Sequence, residues 1–195
     1  MLRIVVYALA ALAAGSLGGT QAAPITFTAS LSGDAENPPV VSPGTGSATV
    51  IFDPDAHSMS VNVSFDNLTG MTTVAHIHGP VTEPGGTAGV ATQVPSFVDF
   101  PANVTSGSYT RDFDTLDPAT YNPAFVTANG GSVEEAEAAF FAMLLAGSAY
   151  LNIHTTNFPA GEIRGFLIAQ TVAAPPAGFI LATGALLLTG MRRRA

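Results

Sequence analysis

The sequence predicts an all-β fold, an antiparallel β-sandwich with Greek-key connections and one short helix. Apolar and polar residues alternate in seven or eight short segments, and turns rich in glycine and proline separate these segments. Alternation with a period of two is typical of strands that bury one face. Only one segment has the three- and four-residue spacing of an amphipathic helix. A single sandwich core of about 150 residues is therefore expected, a size that can be stable without disulfides.

The first strands show the alternation most clearly. Residues 25–33 (ITFTASLSG) form the first predicted strand, and residues 46–68 form a hairpin around the turn DPDAHS. Residues 73–79 (TVAHIHG) are predicted as the fourth strand. Weaker alternation predicts two further strands, at residues 89–98 and 108–113.

The predicted helix follows a long polar loop at residues 117–131. Ser132 and Glu135 have the spacing of a capping box, and apolar residues then recur at helical intervals. The helix is expected to end near Gly147, because glycine commonly follows the last helical turn. The last two predicted strands are residues 149–155 and 161–170.

The charge distribution excludes several classes of partner. All 14 acidic residues lie between residues 24 and 174, where Arg111 and Arg164 are the only basic ones, and the chain has no lysine. Such an acidic surface repels nucleic acid and anionic membranes, so neither is an expected partner. The chain has no cysteine, which excludes disulfides and thiolate metal sites.

Both ends of the chain resemble targeting segments. Residues 1–23 combine an early arginine, an apolar run and small residues at the end, which predicts a signal peptide. Residues 175–195 combine an apolar stretch with a closing arginine cluster, which predicts a short membrane segment with its arginines on the cytoplasmic side. The β-sandwich is accordingly assigned to residues 24–174. We expect a protein exported to the bacterial cell envelope or beyond, anchored transiently or permanently by its C-terminus.

Polar residues on three of the predicted strands share one face. In VAHIHG the apolar Ala75 and Ile77 point one way, so His76 and His78 point the other. The same alternation turns His154 to the polar side of its strand. If the three strands are neighbours, these histidines meet a second polar set, predicted to be a structural cluster: Tyr150, Asn152, Glu162 and Arg164.

Two interpretations of this face remain open. His76, His78 and His154 could ligate copper or zinc, because imidazole suits both ions and three nitrogens leave an open position. The same side chains could instead form a hydrogen-bonded network that locks the strands without a cofactor. Sandwiches of the immunoglobulin/superoxide-dismutase-like class include a copper–zinc enzyme with a His-x-His strand. That enzyme needs more histidines and a disulfide, so redox catalysis is not expected here, and no catalytic residue is identified.

The middle of the chain resembles the CHRD domain, from about residue 26 to residue 170. The resemblance rests on three motifs in the family's order and spacing: HIHGP at residues 76–80, YxNxHT at residues 150–155 and GEIRG at residues 161–165. It implies the same fold expectation, and the family has no established catalytic activity to carry over to this chain.

The tail AAPPAGFILATGALLLTGMRRRA resembles a bacterial sorting signal of the VPLPA/PEP-CTERM type. The resemblance implies an exosortase-like membrane enzyme as a processing partner. Together these features predict an exported module for adhesion, extracellular matrix or ligand binding, with its ligand unidentified and no turnover. The alternative is a metal-binding, oxidoreductase-like β-sandwich with copper or zinc.

Overall fold

The computed structural model describes residues 23–170, which form eight strands and two α-helices. The strands are β1 (Ile25–Ser32), β2 (Thr45–Asp53), β3 (Ser58–Asp66), β4 (Thr72–His78), β5 (Gly107–Asp114), β6 (Tyr150–Thr155), β7 (Ile163–Phe166) and β8 (Ile168–Ala169). The helices are α1 (Pro123–Ala128) and α2 (Val133–Leu145). Short 3-10 turns lie at Gly33–Ala35 and Pro118–Thr120.

The strands form one curled antiparallel sheet in the order β4-β6-β7-β1-β2-β3-β5, with β8 paired to β1. The prediction of an all-β antiparallel fold is confirmed. Pairing between β4 and β6 joins segments that are remote in sequence, and β7 lies on the other side of β6. The three strands that carry the predicted polar face are therefore neighbours.

Alternation within the strands builds the core. Phe27, Val50 and Val61 lie opposite one another on β1, β2 and β3, and each is fully buried. Burial of a side chain of this size stabilises the fold by about 1.5–3 kcal/mol. This row and its neighbours fill the inner side of the sheet.

The predicted helix is confirmed as α2. The Ser132 hydroxyl accepts a hydrogen bond from the Glu135 backbone N–H and donates one to the Glu135 carboxylate. Phe140 on α2 packs against Phe52 on β2, with ring centroids 6.1 Å apart. The helix therefore packs against the core, to which its buried apolar face belongs.

Two details of the sequence prediction are wrong. Residues 89–98 are not a strand but a loop with isolated bridges at Val90 and Thr92, in a segment where Pro95 cannot donate to a ladder. The predicted loop at residues 117–131 contains α1, so the described chain has a second helix. Asn122 caps α1 by accepting from the Ala124 N–H, and proline at the first helical position favours such a start.

The predicted signal peptide, apart from Ala23, and the predicted C-terminal segment lie outside the described residues. Within residues 23–170, neither helix has the length and apolar character needed to cross a membrane.

Candidate metal centre

The pairing of β4 with β6 brings the three histidines to one face of the sheet. His76 lies opposite Asn152, His78 lies opposite Tyr150, and His154 lies opposite a valine at the start of β4. The intervening Ala75 and Ile77 are fully buried on the other face. Strand alternation thus fixes the direction of each imidazole.

The histidine rings approach one another closely. Their centroids are 5.7 Å apart for His76 and His78, 5.5 Å for His76 and His154, and 5.9 Å for His78 and His154. One ring nitrogen from each residue lies within 4.8 Å of the other two. The predicted closeness of these histidines is confirmed, and we call the three residues the histidine cluster.

Each imidazole uses one nitrogen to hold a backbone carbonyl. His76 Nε2 lies 2.7 Å from the Pro95 oxygen, and His78 Nδ1 lies 3.0 Å from the Ala88 oxygen. The third contact joins His154 Nδ1 to the Pro159 oxygen at 3.0 Å. A carbonyl only accepts, so each of these nitrogens carries the ring proton.

The second nitrogen of each imidazole is buried and unused. Among residues 23–170, His76 Nδ1, His78 Nε2 and His154 Nε2 have no hydrogen-bond partner. Because the proton of each neutral ring faces its carbonyl, each of these three atoms presents a lone pair. Such backbone contacts to the far nitrogen are the usual means of orienting a metal-ligating histidine.

The surroundings keep the imidazoles neutral. Burial lowers the pKa of all three histidines, to about 4 for His78. The hydrogen bonds to the carbonyls act in the opposite direction, and neighbouring positive charge lowers the pKa of His78 further. A neutral imidazole is the form that ligates metals.

The cluster has nearly the dimensions of a metal site. Three atoms within 4.8 Å of one another share a point no more than about 2.8 Å from each. Zinc–imidazole bonds are about 2.0–2.1 Å long. Side-chain shifts of less than about 1 Å would bring all three nitrogens to bonding distance.

Two members of the predicted structural cluster support His78. The Tyr150 ring stacks on the His78 ring, with centroids 4.9 Å apart and 8° between the planes. The Arg164 guanidinium lies 4.6 Å from the Tyr150 centroid. Arg164 also donates to the carbonyls of Gly85 and Gly86, in the same loop whose Ala88 carbonyl orients His78.

Glu162 is predicted to belong to the same structural cluster, but its hydrogen-bond partners are a different set of residues. Its carboxylate accepts five hydrogen bonds, from Ser42, from the backbone and side chain of Thr69, from Gly70 and from Thr155. Burial alone would raise the pKa of Glu162, but these bonds outweigh it and lower the pKa. We call this arrangement the Glu162 cluster.

Sequence reasoning missed Glu36. Its carboxyl lies 3.8 Å from the Arg164 guanidinium, and burial raises its pKa to about 7 although that cation acts to lower it. Glu36 lies just beyond β1, where no periodic pattern marks its side chain. The carbonyls that orient the histidines were also missed, because backbone atoms have no sequence signature.

A model of the CHRD domain family matches residues 27–167. No curated protein and no solved structure matches the chain. The matched range contains every residue of the histidine cluster and of the Glu162 cluster.

Proposed function

The chain belongs to the CHRD domain family, and we propose that its domain binds one divalent transition-metal ion through His76, His78 and His154. The observation that carries the proposal is the set of three buried, unpartnered ring nitrogens on rings fixed by backbone carbonyls.

A purely structural network explains this geometry less well. The three rings lie close together, and within the described residues no donor reaches the unprotonated nitrogen of any of them. One trapped water donates only two hydrogen bonds, so a third nitrogen would stay unsatisfied, at a cost of about 1–3 kcal/mol. A cation satisfies all three lone pairs at once.

The ligand set favours zinc and copper. Imidazole nitrogens suit Zn²⁺ and Cu²⁺, whereas Mg²⁺ and Ca²⁺ require oxygen ligands. Affinity in such sites rises to a maximum at Cu²⁺. Three protein ligands leave a fourth position open, as in zinc sites that bind a water or substrate.

We further propose that the domain acts outside the cytoplasm. The targeting-like segments at the two ends of the sequence support this location. Adhesion, matrix assembly and processing by an exosortase-like enzyme stay predictions of the sequence. Turnover is not part of the proposal.

Calorimetric titration of untagged, chelator-stripped protein with Zn²⁺ and with Cu²⁺ tests the proposal. We expect one ion per chain, and we expect His78→Ala to abolish stoichiometric binding while circular dichroism shows the fold retained. His57→Ala is the matched control, because His57 contacts Glu137 rather than the cluster. The proposal fails if the unaltered protein binds neither ion, or if His78→Ala and His57→Ala bind equally well.

A further inference from the structure

Five buried side-chain atoms lack a hydrogen-bond partner within residues 23–170. Three are the ring nitrogens of the histidine cluster, and the other two are Glu36 Oε1 and Asn152 Oδ1. Only 8% of Glu36 and 3% of Asn152 is exposed. Both atoms are oxygens that accept hydrogen bonds, so all five atoms present unused lone pairs.

Asn152 lies between the histidine cluster and Glu36. On one side it stands opposite His76 of β4, and on the other side it stands opposite Arg164 of β7. Residues that face each other on neighbouring strands have Cβ atoms about 4.5–5.5 Å apart. Glu36 lies beside Arg164 in turn, 3.8 Å from its guanidinium. The two unpartnered oxygens are therefore next to the histidine cluster.

Gly161 brings these two oxygens to one space. A Cβ on Gly161 would lie 2.6 Å from Asn152 Oδ1 and 2.7 Å from Glu36 Oε1. Both oxygens border the room that the glycine leaves free, and neither has a donor within the described chain. A molecule that donates two hydrogen bonds would satisfy both.

Arg164 does not satisfy Glu36. Its guanidinium donates to the carbonyls of Ala35, Gly85 and Gly86, and its 3.8 Å approach to the Glu36 carboxyl is longer than a hydrogen bond. Burial raises the pKa of Glu36 to about 7 although the cation acts to lower it. The carboxylate thus lacks the donors that buried charges normally have.

A metal ion and one water molecule together account for all five atoms. The ion takes the three ring lone pairs and keeps a fourth position, which water fills in open zinc sites. Water has two hydrogens, and two oxygens are present to accept them. Glu36 is not in the group of direct ligands that the histidines form, as expected of a carboxylate that reaches the ion through a water.

A cavity of about 210 Å³ borders the same space, because Glu36 and Gly161 are part of its lining. Pro159, whose carbonyl holds His154, also lines it. The cavity has room for several water molecules, or for a small alcohol or amine. An exchangeable ligand therefore has space beside the two oxygens.

We propose that the metal ion carries a water molecule as its fourth ligand, and that Glu36 and Asn152 position this water by accepting its two hydrogens. This inference rests on the proposed metal-binding function. It specifies the chemical class of the exogenous ligand, which is a neutral molecule with hydrogens on its ligating atom. A small alcohol or primary amine that replaces the water would meet the same two acceptors.

A crystal structure of the Zn²⁺-loaded protein tests the proposal. We expect one oxygen atom to complete the zinc coordination and to lie about 2.5–3.0 Å from both Glu36 Oε1 and Asn152 Oδ1. Zinc at the histidines with Glu36 bound to it directly, or with a fourth ligand that contacts neither residue, overturns this inference alone. Absence of zinc from the histidines, checked by anomalous scattering, overturns the proposed function and this inference with it.

Paired variants test the two positioning residues through Zn²⁺ affinity, with circular dichroism to confirm the fold. Glu36→Gln should weaken zinc binding about tenfold, because a carboxylate is a stronger acceptor for metal-bound water than an amide. Glu83→Gln is the control, since Glu83 is exposed in the loop after β4 and the variant loses the same charge. Equal losses in these two variants would contradict the proposal.

Asn152→Ala should also weaken zinc binding about tenfold, whereas Asn152→Asp, which keeps an acceptor oxygen, should not. Unchanged zinc affinity in Asn152→Ala contradicts the proposal even if Glu36→Gln fails to fold.

Discussion

The histidine cluster and the Glu162 cluster are both buried polar groups on β6 and its neighbours, but they differ in how their atoms are satisfied. The Glu162 carboxylate accepts five hydrogen bonds from within the described chain. The histidine cluster leaves three ring nitrogens without a partner in the same region. Folding completes the first cluster and leaves the second one incomplete.

This difference separates a structural role from a binding role. Buried polar groups in proteins are nearly always hydrogen-bonded, so an unpartnered group calls for an explanation. Three such groups on rings whose centroids lie 5.5–5.9 Å apart are best explained by a shared ligand. The fully bonded carboxylate needs none, and its removal should affect only stability.

The largest expected effect comes from Glu162. Glu162→Gln loses the negative charge that orders its donors, and we expect unfolding free energy to fall by about 3 kcal/mol or more in urea denaturation. Stoichiometric metal binding should be unchanged for the fraction that folds. If the unfolding free energy fell by less than about 1 kcal/mol, or if the folded variant lost its metal, the two clusters would not differ in role as described.

Gly161, which precedes Glu162, sharpens the comparison because it touches the other site. Its φ is +132°, and a Cβ there would lie 2.5–2.6 Å from the Asn152 amide atoms. We expect Gly161→Ala to cost about 2 kcal/mol of stability and to weaken metal binding. Gly131→Ala is the matched control, since Gly131 also has a positive φ but has open space at the Cβ position. If the two variants bound metal equally well, the Asn152 amide would have no part in the site.

A smaller effect, of about 1 kcal/mol at pH 6 for His78, should appear in the pH dependence of the metal-free protein, and it should grow as the pH falls towards 4. Folding lowers the histidine pKa values from 6.5, to about 4 at His78. At these histidines the unfolded chain binds more protons in this window, so their contribution to stability should fall as the pH drops through it. Glu36, whose pKa folding raises to about 7, contributes with the opposite sign. Protonation of Glu162 should lower stability further as the pH falls below about 4.5, because folding lowers that pKa too.

Urea denaturation at a series of pH values measures both the histidine contribution and the Glu162 contribution to stability. Compared with the unaltered protein, His78→Ala should lose less stability as the pH falls from 6.5 to 4, and Glu162→Gln should lose less below that range. Identical profiles for His78→Ala and the unaltered protein would show that the histidine is as easily protonated in the fold as in the unfolded chain.

Features that depend on side-chain periodicity could be predicted from the sequence. The strand pattern and the shared face of His76, His78 and His154 follow from alternation, because one face of each strand must be buried. The cap of α2 follows from Ser132 and Glu135. These are local rules, and the structure obeys them.

Features that depend on loop paths could not be predicted. The carbonyls that orient the imidazoles belong to loops whose course is set by tertiary contacts. The separation of Glu162 from the histidines depends on donors such as Thr69, which is remote in sequence. The helix α1 was missed because its six residues are too few for a periodic signal.

The most direct test of the metal site is a long-range proton–nitrogen NMR spectrum of the histidine rings in ¹⁵N-labelled, metal-free protein, before and after one equivalent of Zn²⁺. We expect His76 Nδ1, His78 Nε2 and His154 Nε2 to be unprotonated at neutral pH. The chemical shifts of these three nitrogens should change on metal addition, while those of both His57 nitrogens should stay the same. Protons on any of the three atoms in the metal-free protein, or three unshifted nitrogens after addition of Zn²⁺, would contradict the account.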